Sequence, residues 1–506
     1  MTLNQSMNIA LNSMQNNQYA LTVVSHNIAN LNTEGYHRQR VNFSEERYTT
    51  DCKNVLDTVR GMQGAKIDSL SGFMDQGAFD DVIDKNSDAQ YYNTLSGILD
   101  DIEGVADELG KNGLGNLLNE FYNAANNLEK YPTDMSIRQQ FLLAAENVCE
   151  RFNYTSNRLD SLEQEKYDST TRDIETVNSL LGSLADANLA HITNNQSDPT
   201  KATIDHVISE LSNYFNISTE TNPNGSVNVY IGGTAVVQGT EVKYNLASNY
   251  DKSSDQPLSI YLEPTSDSAQ PTNNVNKYLT AGSLRAYNEA LNGTDSKLTS
   301  ITNMQKIVDK AAAAFGKALN DIQTFADGDT IAASITSDGS GNMILEQATT
   351  DMVTTKDGSS TITAANIQIN PAMDDNPYLI AAARVDKSQY EGDDWKKAIG
   401  NSDNAAEFSA LRNAKIIDYD SGIYTTLSDY LVNSAAKAGM DAANVEDKAE
   451  LYQDIADSAL ANYTNLIGVN LDEELANMIK YQRSFEASAR VFAAANSIME
   501  TILNMV

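Results

Sequence analysis

The most regular pattern of apolar and polar positions lies at the two ends of the chain. Leu3, Met7, Ala10, Met14, Asn17, Leu21, Val24, Ile28 and Leu31 follow alternating steps of four and three residues. That spacing keeps one seam of a helix turned toward a partner helix. Asn17 is the polar member, and a single Asn in such a seam fixes register at some cost in stability. Residues 1–33 contain no Asp, Glu, Lys or Arg. A helix without charges on its outer face is poorly solvated alone, so it is expected to pack on more than one side. The run then meets Asn32-Thr33-Glu34-Gly35, a turn-forming cluster whose glycine can adopt positive φ.

The C-terminal end mirrors this. Leu471, Leu475, Met478, Gln482, Phe485, Ala489, Phe492, Asn496, Met499 and Leu503 again alternate steps of four and three, with Gln482 and Asn496 as polar members. Asn470 is placed to cap the helix. Asp472, Glu473 and Glu474 fill the first turn, where carboxylates suit the positive end of the helix dipole, and Glu473 stands at the capping-box position. A helix over 471–506 is about 50 Å long at 1.5 Å per residue. Its expected partner is the other terminal helix or a second copy of the chain.

A second helical layer lies inside these ends. Leu95, Ile98, Leu99, Ile102, Val105 and Leu109 have helical spacing, and Asn112-Gly113 breaks the run. Leu114, Leu117, Leu118, Phe121, Ala125 and Leu128 form another face, which stops before Pro132. Asp134 can cap a third helix through Ile137, Phe141, Ala145, Val148, Phe152, Leu159 and Leu162. The pattern resumes at Ile174, Val177, Leu181 and Leu184, so one rod is expected to reach about residue 190, on the order of 80 Å. On the return, Leu427, Leu431, Leu451, Ile455, Leu460 and Ile467 suggest a partner face leading to Gly468.

The middle changes character. Val227, Val229 and Ile231 alternate after the turn Asn222-Pro223-Asn224-Gly225, and Gly232-Gly233 ends the run. Val236-Val237, Val242 to Leu246 and Leu258 to Leu262 are further strand candidates. Ser337 to Asn342 reads as a hairpin turn between Ile331–Ile335 and Met343–Leu345, and Thr361 to Ile369 as another strand. One helical segment, near Leu284 to Phe325, interrupts them. All eight prolines fall between Pro132 and Pro377, which leaves both ends free for long helices. The expected fold is mainly α with a β-rich insert. Its terminal helices pair as a coiled coil below a rod of long helices, with a β-rich domain at the far end. The expected division is 1–60 with 465–506 as the terminal assembly domain, 61–200 with 405–464 as the rod, and 201–404 as the insert.

Composition narrows function by exclusion. Lys plus Arg is 35 and Asp plus Glu is 69, a net charge of −34. A charge that negative argues against a nucleic-acid backbone or an anionic membrane as the main partner. No stretch approaches 18 consecutive apolar residues, so no membrane span is expected. The first residues lack the basic and apolar regions of a cleaved secretory signal. Cys52 and Cys149 are far apart, fit no metal or redox spacing and read as free thiols. His26, His37, His191 and His206 form no zinc-type pattern. Gly104, Gly110, Gly113 and Gly115 lack the Lys-Ser/Thr of a phosphate cradle. Asp374-Asp375 and Asp393-Asp394 read as solvated loops. No catalytic residue, cofactor or metal ligand is expected, and the chain does not read as an enzyme.

Two motifs carry a resemblance. Ser25-His26-Asn27-Ile28-Ala29-Asn30-Leu31-Asn32-Thr33-Glu34-Gly35-Tyr36 resembles the N-terminal signature shared by flagellar rod, hook and hook-associated proteins. Its family positions are Ser25, Asn27, Ile28, Ala29, Asn30, Asn32, Thr33, Gly35 and Tyr36. Gly468-Val469-Asn470-Leu471-Asp472-Glu473-Glu474, with Tyr481-Gln482-Arg483-Ser484-Phe485, is similar to the matching C-terminal signature. Inner segments resemble the hook-associated branch in particular: Pro132-Thr133-Asp134 with Arg138-Gln139, Thr280-Ala281-Gly282-Ser283-Leu284, Ile369-Asn370-Pro371 through Leu379-Ile380-Ala381, and Ala410-Leu411-Arg412-Asn413-Ala414-Lys415. Tyr131 departs from the family's usual Asn before the proline, and the segment at 199–206 departs at the domain junction.

The resemblance implies a structural subunit of the bacterial flagellum at the hook–filament junction, needed for filament assembly. It implies terminal helices packed around an export channel. The implied partners are hook subunits, a second hook-associated junction protein, other copies of the chain in a ring, a cytoplasmic export chaperone at the C-terminal helix, and the flagellar type III export apparatus. It also implies an extracellular location reached without a cleaved signal. The alternatives are a related hook or rod subunit, and an adhesin displayed on the flagellum through the middle insert.

Overall fold

The computed structural model describes the chain apart from residues 1–2, 32–37, 48–61, 73–74, 108, 110–112, 195–197, 253, 255, 266–273, 294–296, 421 and 505–506. Long helices set its shape. The N-terminal seam folds as α1 (Leu3–Ala29), followed by a hairpin of β1 (Gln39–Arg47) and β2 (Met62–Gly72). Then come α2 (Gln76–Asp107), α3 (Leu114–Lys130) and α4 (Met135–Thr193). At 59 residues, α4 is about 90 Å long, so the broken periodicity from Ile137 to Leu184 is one uninterrupted rod. Its start is set by Asp134, whose carboxylate accepts the backbone N–H groups of Ser136 (2.8 Å) and Ile137 (3.3 Å). Such a cap contributes about 1 kcal/mol.

The middle alternates short antiparallel sheets with helices. After α5 (Asp198–Leu211), strands β3 (Ser218–Thr221), β4 (Val227–Ile231), β5 (Thr234–Gln238) and β6 (Glu241–Val242) form one sheet in chain order. The hairpin of β7 (Tyr244–Tyr250) and β8 (Leu258–Pro264) follows. The helical segment expected near 284–325 is two helices, α6 (Ser283–Asn292) and α7 (Ile301–Gln323). Beyond them, β10 (Thr330–Ser337) is flanked by β11 (Met343–Gln347) and β14 (Ala383–Asp386), and β9 (Ala326–Asp327) also pairs with β10. The expected strand over 361–369 shortens to β13 (Ile367–Ile369), which pairs with β12 (Val353–Thr355). The preceding residues are held by side chains instead: Asn366 accepts from the N–H of Thr363, and Asp309 from that of Ala364. After α8 (Pro371–Asp375) and α9 (Asp403–Ala410), the hairpin β15 (Lys415–Asp420) and β16 (Ile423–Thr426) leads to α10 (Leu427–Ile467) and α11 (Leu471–Leu503).

Packing corrects two further expectations. In α10 the first turns bury Leu427 and Leu431, but Leu451 and Leu460 are exposed. The buried face farther along is Ala438, Ala442, Val445, Ala449, Ala456, Ala459 and Tyr463. Small residues let α10 approach α2 closely, and Gly439 sits against Glu103. The expected domain edges also move. The boundary at residue 60 falls between the two strands of one hairpin. The insert, moreover, shares its core with the rod: one apolar cluster includes Phe79, Phe152, Val229, Ile260, Phe315 and Ile467. The sheet around β10 has a smaller cluster of its own with Trp395.

Candidate assembly site

The terminal helices α1 and α11 lie side by side and antiparallel. Ser13 Oγ is 2.9 Å from Ser488 Oγ, and Asn27 Nδ2 donates to Glu474 Oε2 at 3.1 Å. The two contacts are 14 residues apart on each helix, 27 − 13 and 488 − 474, so the register holds over about 20 Å. Among the N-terminal seam positions, Ala10 and Val24 are buried, and Leu3, Met7, Met14, Asn17, Leu21 and Ile28 are half-buried. Leu31 lies in the turn beyond Ala29 and is exposed. Asn17 does not reach across the pair. Its amide donates to the carbonyl of Ser13 at 2.7 Å and to Ser13 Oγ at 3.3 Å, so at this level of the pair the polar contact between helices falls to Ser13 and Ser488. The other side of α1 rests on the hairpin, where Ala20 and Val23 pack with Val41, Ile67 and Tyr481.

The C-terminal seam is rotated from its expected position. Met478, Phe485, Phe492 and Met499 are half-buried. Leu471, Leu475, Gln482 and Asn496 are exposed and Ala489 is half-buried. In their place Glu474 and Ala495 are buried, with Tyr481, Ser484 and Ser488 half-buried. The observed seam thus runs 474, 478, 481, 485, 488, 492, 495, 499. It has the same alternation of four and three as the expected one and shares every second position with it. Hydrophobicity favoured Leu475, whereas closeness and hydrogen bonding favour Glu474, Ser488 and Ala495. The side chain of Leu503 lies outside the described residues.

A polar junction closes the base of the pair. Asn470 caps α11 as expected, accepting the N–H groups of Asp472 (2.9 Å) and Glu473 (3.3 Å). Glu473 does not complete a capping box, because its carboxylate is held by Arg38 Nη1 at 2.6 Å. Glu474 is the buried member, with its side chain 2% exposed. Its Oε1 accepts from Arg38 Nε and Nη2, both at 2.8 Å, while Oε2 accepts from Asn27. Asn27 also brackets the backbone of Gln39, donating to its carbonyl (2.8 Å) and accepting its N–H (3.0 Å). The N–H of Arg38 donates to the carbonyl of Ile467 at 3.1 Å. The Asn27 amide, the Glu474 carboxylate and the backbone and guanidinium of Arg38 therefore tie α1, the hairpin, the end of α10 and the start of α11. Arg38 lies just past the N-terminal motif, and no spacing rule links it to Glu474, 436 residues away.

The remaining motif positions are local. Ser25 Oγ donates to the carbonyl of Leu21 and Asn30 Nδ2 to that of His26, both at 2.9 Å. Ile28 is half-buried and Ala29 exposed. Asn32, Thr33, Gly35 and Tyr36 lie outside the described residues, as does Cys52. Cys149 is a buried free thiol in α4. Among the described residues no group of His, Cys, Asp and Glu could hold a metal ion, and no helix is long and apolar enough to cross a membrane.

The inner motifs also converge. Arg138 is 1% exposed, and its guanidinium donates to the carbonyls of Pro132 (2.7 Å), Pro377 (3.2 Å) and Ile380 (2.8 Å). Burial lowers its pKa to about 10. Residues 99–331 match the family described as the flagellar hook-associated protein FlgK helical domain. Residues 7–37 match the flagella basal body rod protein family, and 461–505 the C-terminal family of flagellar basal body rod FlgEFG proteins. Along its whole length the chain is similar to flagellar hook-associated proteins. It is a structural flagellar protein. Flagellar hook-associated protein 1 of Bacillus subtilis is 24% identical, over 96% of this chain and 95% of that one. The protein of the same name from Escherichia coli is 19% identical over 99% of each. The fold is similar to the solved structure of the flagellar hook junction protein FlgK from Burkholderia pseudomallei, with a TM-score of 0.59 and 13% identity, over 76% of this chain and 99% of that one.

Proposed function

We propose that this hook-associated chain forms the segment that joins the flagellar hook to the filament, and that its terminal helices hold it there. The observation that carries this reading is the incomplete burial of α11. Leu471, Leu475, Ile479, Val491, Ile498 and Ile502 are all exposed on a helix already paired along one face with α1. Large apolar side chains spread along a surface helix are suited to burial against further helices. The N-terminal seam from Leu3 to Ile28 and the observed seam from Glu474 to Met499 hold the pair in register, and the exposed side chains face neighbouring subunits. The base through residue 72 and from about 468 onward acts as the assembly part. The rod and the middle region form the outer body.

The partners are hook subunits on one side, a second hook-associated protein on the other, and further copies within a ring. Before export, a cytoplasmic chaperone covers the apolar face of α11, and the type III apparatus reads the charge-free N-terminus as its address. The chain then acts outside the cell. The deciding experiment is electron microscopy of a strain lacking the chain. Hooks without filaments, with filaments restored by the complementing gene, is the expected result; loss of the hook itself would refute the reading. Deleting residues 2–20 is expected to leave the protein in the cytoplasm.

A further inference from the structure

The base of the molecule carries two surfaces that the α1–α11 pair leaves unused. The first is a notch between α1, the hairpin and α11, a cavity of about 390 Å³. Val23, Val24, Val41 and Tyr481 line its floor, and Arg40 and Lys480 stand at its rim. The notch also contains Glu473 and Glu474, but both carboxylates are engaged by Arg38. Neither Arg40 nor Lys480 belongs to an ion pair among the described residues, and Lys480 lies over the Tyr481 ring at 5.8 Å. Within a chain of net charge −34, this is a cationic rim around an apolar floor.

The second surface is a stripe on another face of α11. Leu475 and Ile479 are 43% and 51% exposed, and Asp472 and Glu486 flank them, also exposed. At about 100° per residue, Asp472, Leu475, Ile479 and Glu486 share one face. The notch residues Ala476, Asn477 and Lys480 point roughly 120° away from it around the same helix. The two surfaces are thus at one height on the molecule, face different directions and carry opposite charge.

We infer that the notch of one copy receives the Leu475–Ile479 stripe of a second copy, with Arg40 and Lys480 meeting the carboxylates Asp472 and Glu486. This rests on the assembly reading above and deepens it by naming the two faces of the contact between copies. A contact between two different faces is heterologous, and repeated around an axis it closes a ring when the rotation allows. The apolar pair supplies burial, and the charges select the partner and its register.

A charge swap within one chain tests the contact, because every copy then carries both halves. Lys480→Glu alone and Glu486→Lys alone are each expected to lower the fraction of hooks bearing a filament roughly fivefold, as expected for losing an exposed ion pair at the upper end of its range. The double variant is expected to restore it. The two positions are six residues apart on one helix, too far around it for an i,i+4 pair to explain rescue. Arg40→Glu with Asp472→Lys repeats the test independently, and circular dichroism melts confirm that each variant folds. Single variants that behave like the wild type, or a double variant no better than the worse single, overturn the contact. If the strain lacking the chain keeps its filaments, the junction reading fails and the contact fails with it. If that strain loses them while neither swap couples, the contact alone is wrong.

Discussion

Arg138 makes the clearest single-residue case. It is an arginine in the core with four carbonyls as partners, contributed by Pro132 at the turn before α4 and by Pro377, Tyr378 and Ile380 from the far side of the middle region. Arg138→Leu strips the buried carbonyl of Pro132 of its donor and leaves those of Pro377 and Ile380 with one backbone N–H each, from Ile380 and Ala382; it is expected to cost about 2–3 kcal/mol, read as a lower midpoint in urea unfolding. Arg138→Lys recovers part of this, because an ammonium gathers its donors on one nitrogen and cannot span the acceptors that the planar, spread guanidinium reaches. A second effect concerns alkaline pH. Burial pushes the Cys149 thiol and the Tyr122 and Tyr287 phenols up to about 12, against ordinary values of 9.0 and 10.0. The unfolded chain therefore gives up these protons first. The stabilisation is complete below pH 9 and is lost as pH rises toward 12. Melting temperatures measured between about pH 8 and pH 11 are expected to fall, and Tyr122→Phe is expected to flatten the decline.

At the scale of elements, the informative case is the rotation of the α11 seam. Ala495 is 5% exposed and Asn496 is exposed, although the apolar repeat placed Asn496 in the seam. Ala495→Glu is expected to destabilise the α1–α11 pair by a few kcal/mol, and Asn496→Glu by a few tenths, in thermal unfolding of α11 followed by hydrogen exchange. Equal effects would restore the original seam. The helices themselves were legible in the sequence, including the cap at Asp134, the cap at Asn470 and the continuous rod through Leu184. Strand extents were less so. Thr361 to Ile369 has the composition of a strand, yet side-chain acceptors from Asn366 and Asp309 hold its first half in a loop. The buried face of α10 was misread for a related reason: Leu451 and Leu460 look like core residues, but close approach to α2 selects alanines instead.

Over the whole molecule, burial is unevenly distributed. The rod and the middle region share one large apolar core, whereas among the described residues of the base the buried apolar cluster is Ala20, Val23 and Val41. Local opening follows local burial, so in the isolated chain the amides of α1 and α11 are expected to exchange well before those of α2, α4 and α10. Exchange mass spectrometry of the monomer against intact flagella checks this; equal protection in the monomer would contradict it. The sequence alone determined that both ends are helices of coiled-coil period, that the middle contains strands, and which family the motifs at 25–36 and 468–485 resemble. Composition and periodicity are local properties, and a long helix expresses them directly. Only the tertiary structure decided which of two adjacent seams α11 uses, because both satisfy the same repeat and share Met478, Phe485, Phe492 and Met499. The choice depends on groups far away in the chain: Ser13 opposite Ser488, and Asn27 with Arg38 around the carboxylate of Glu474.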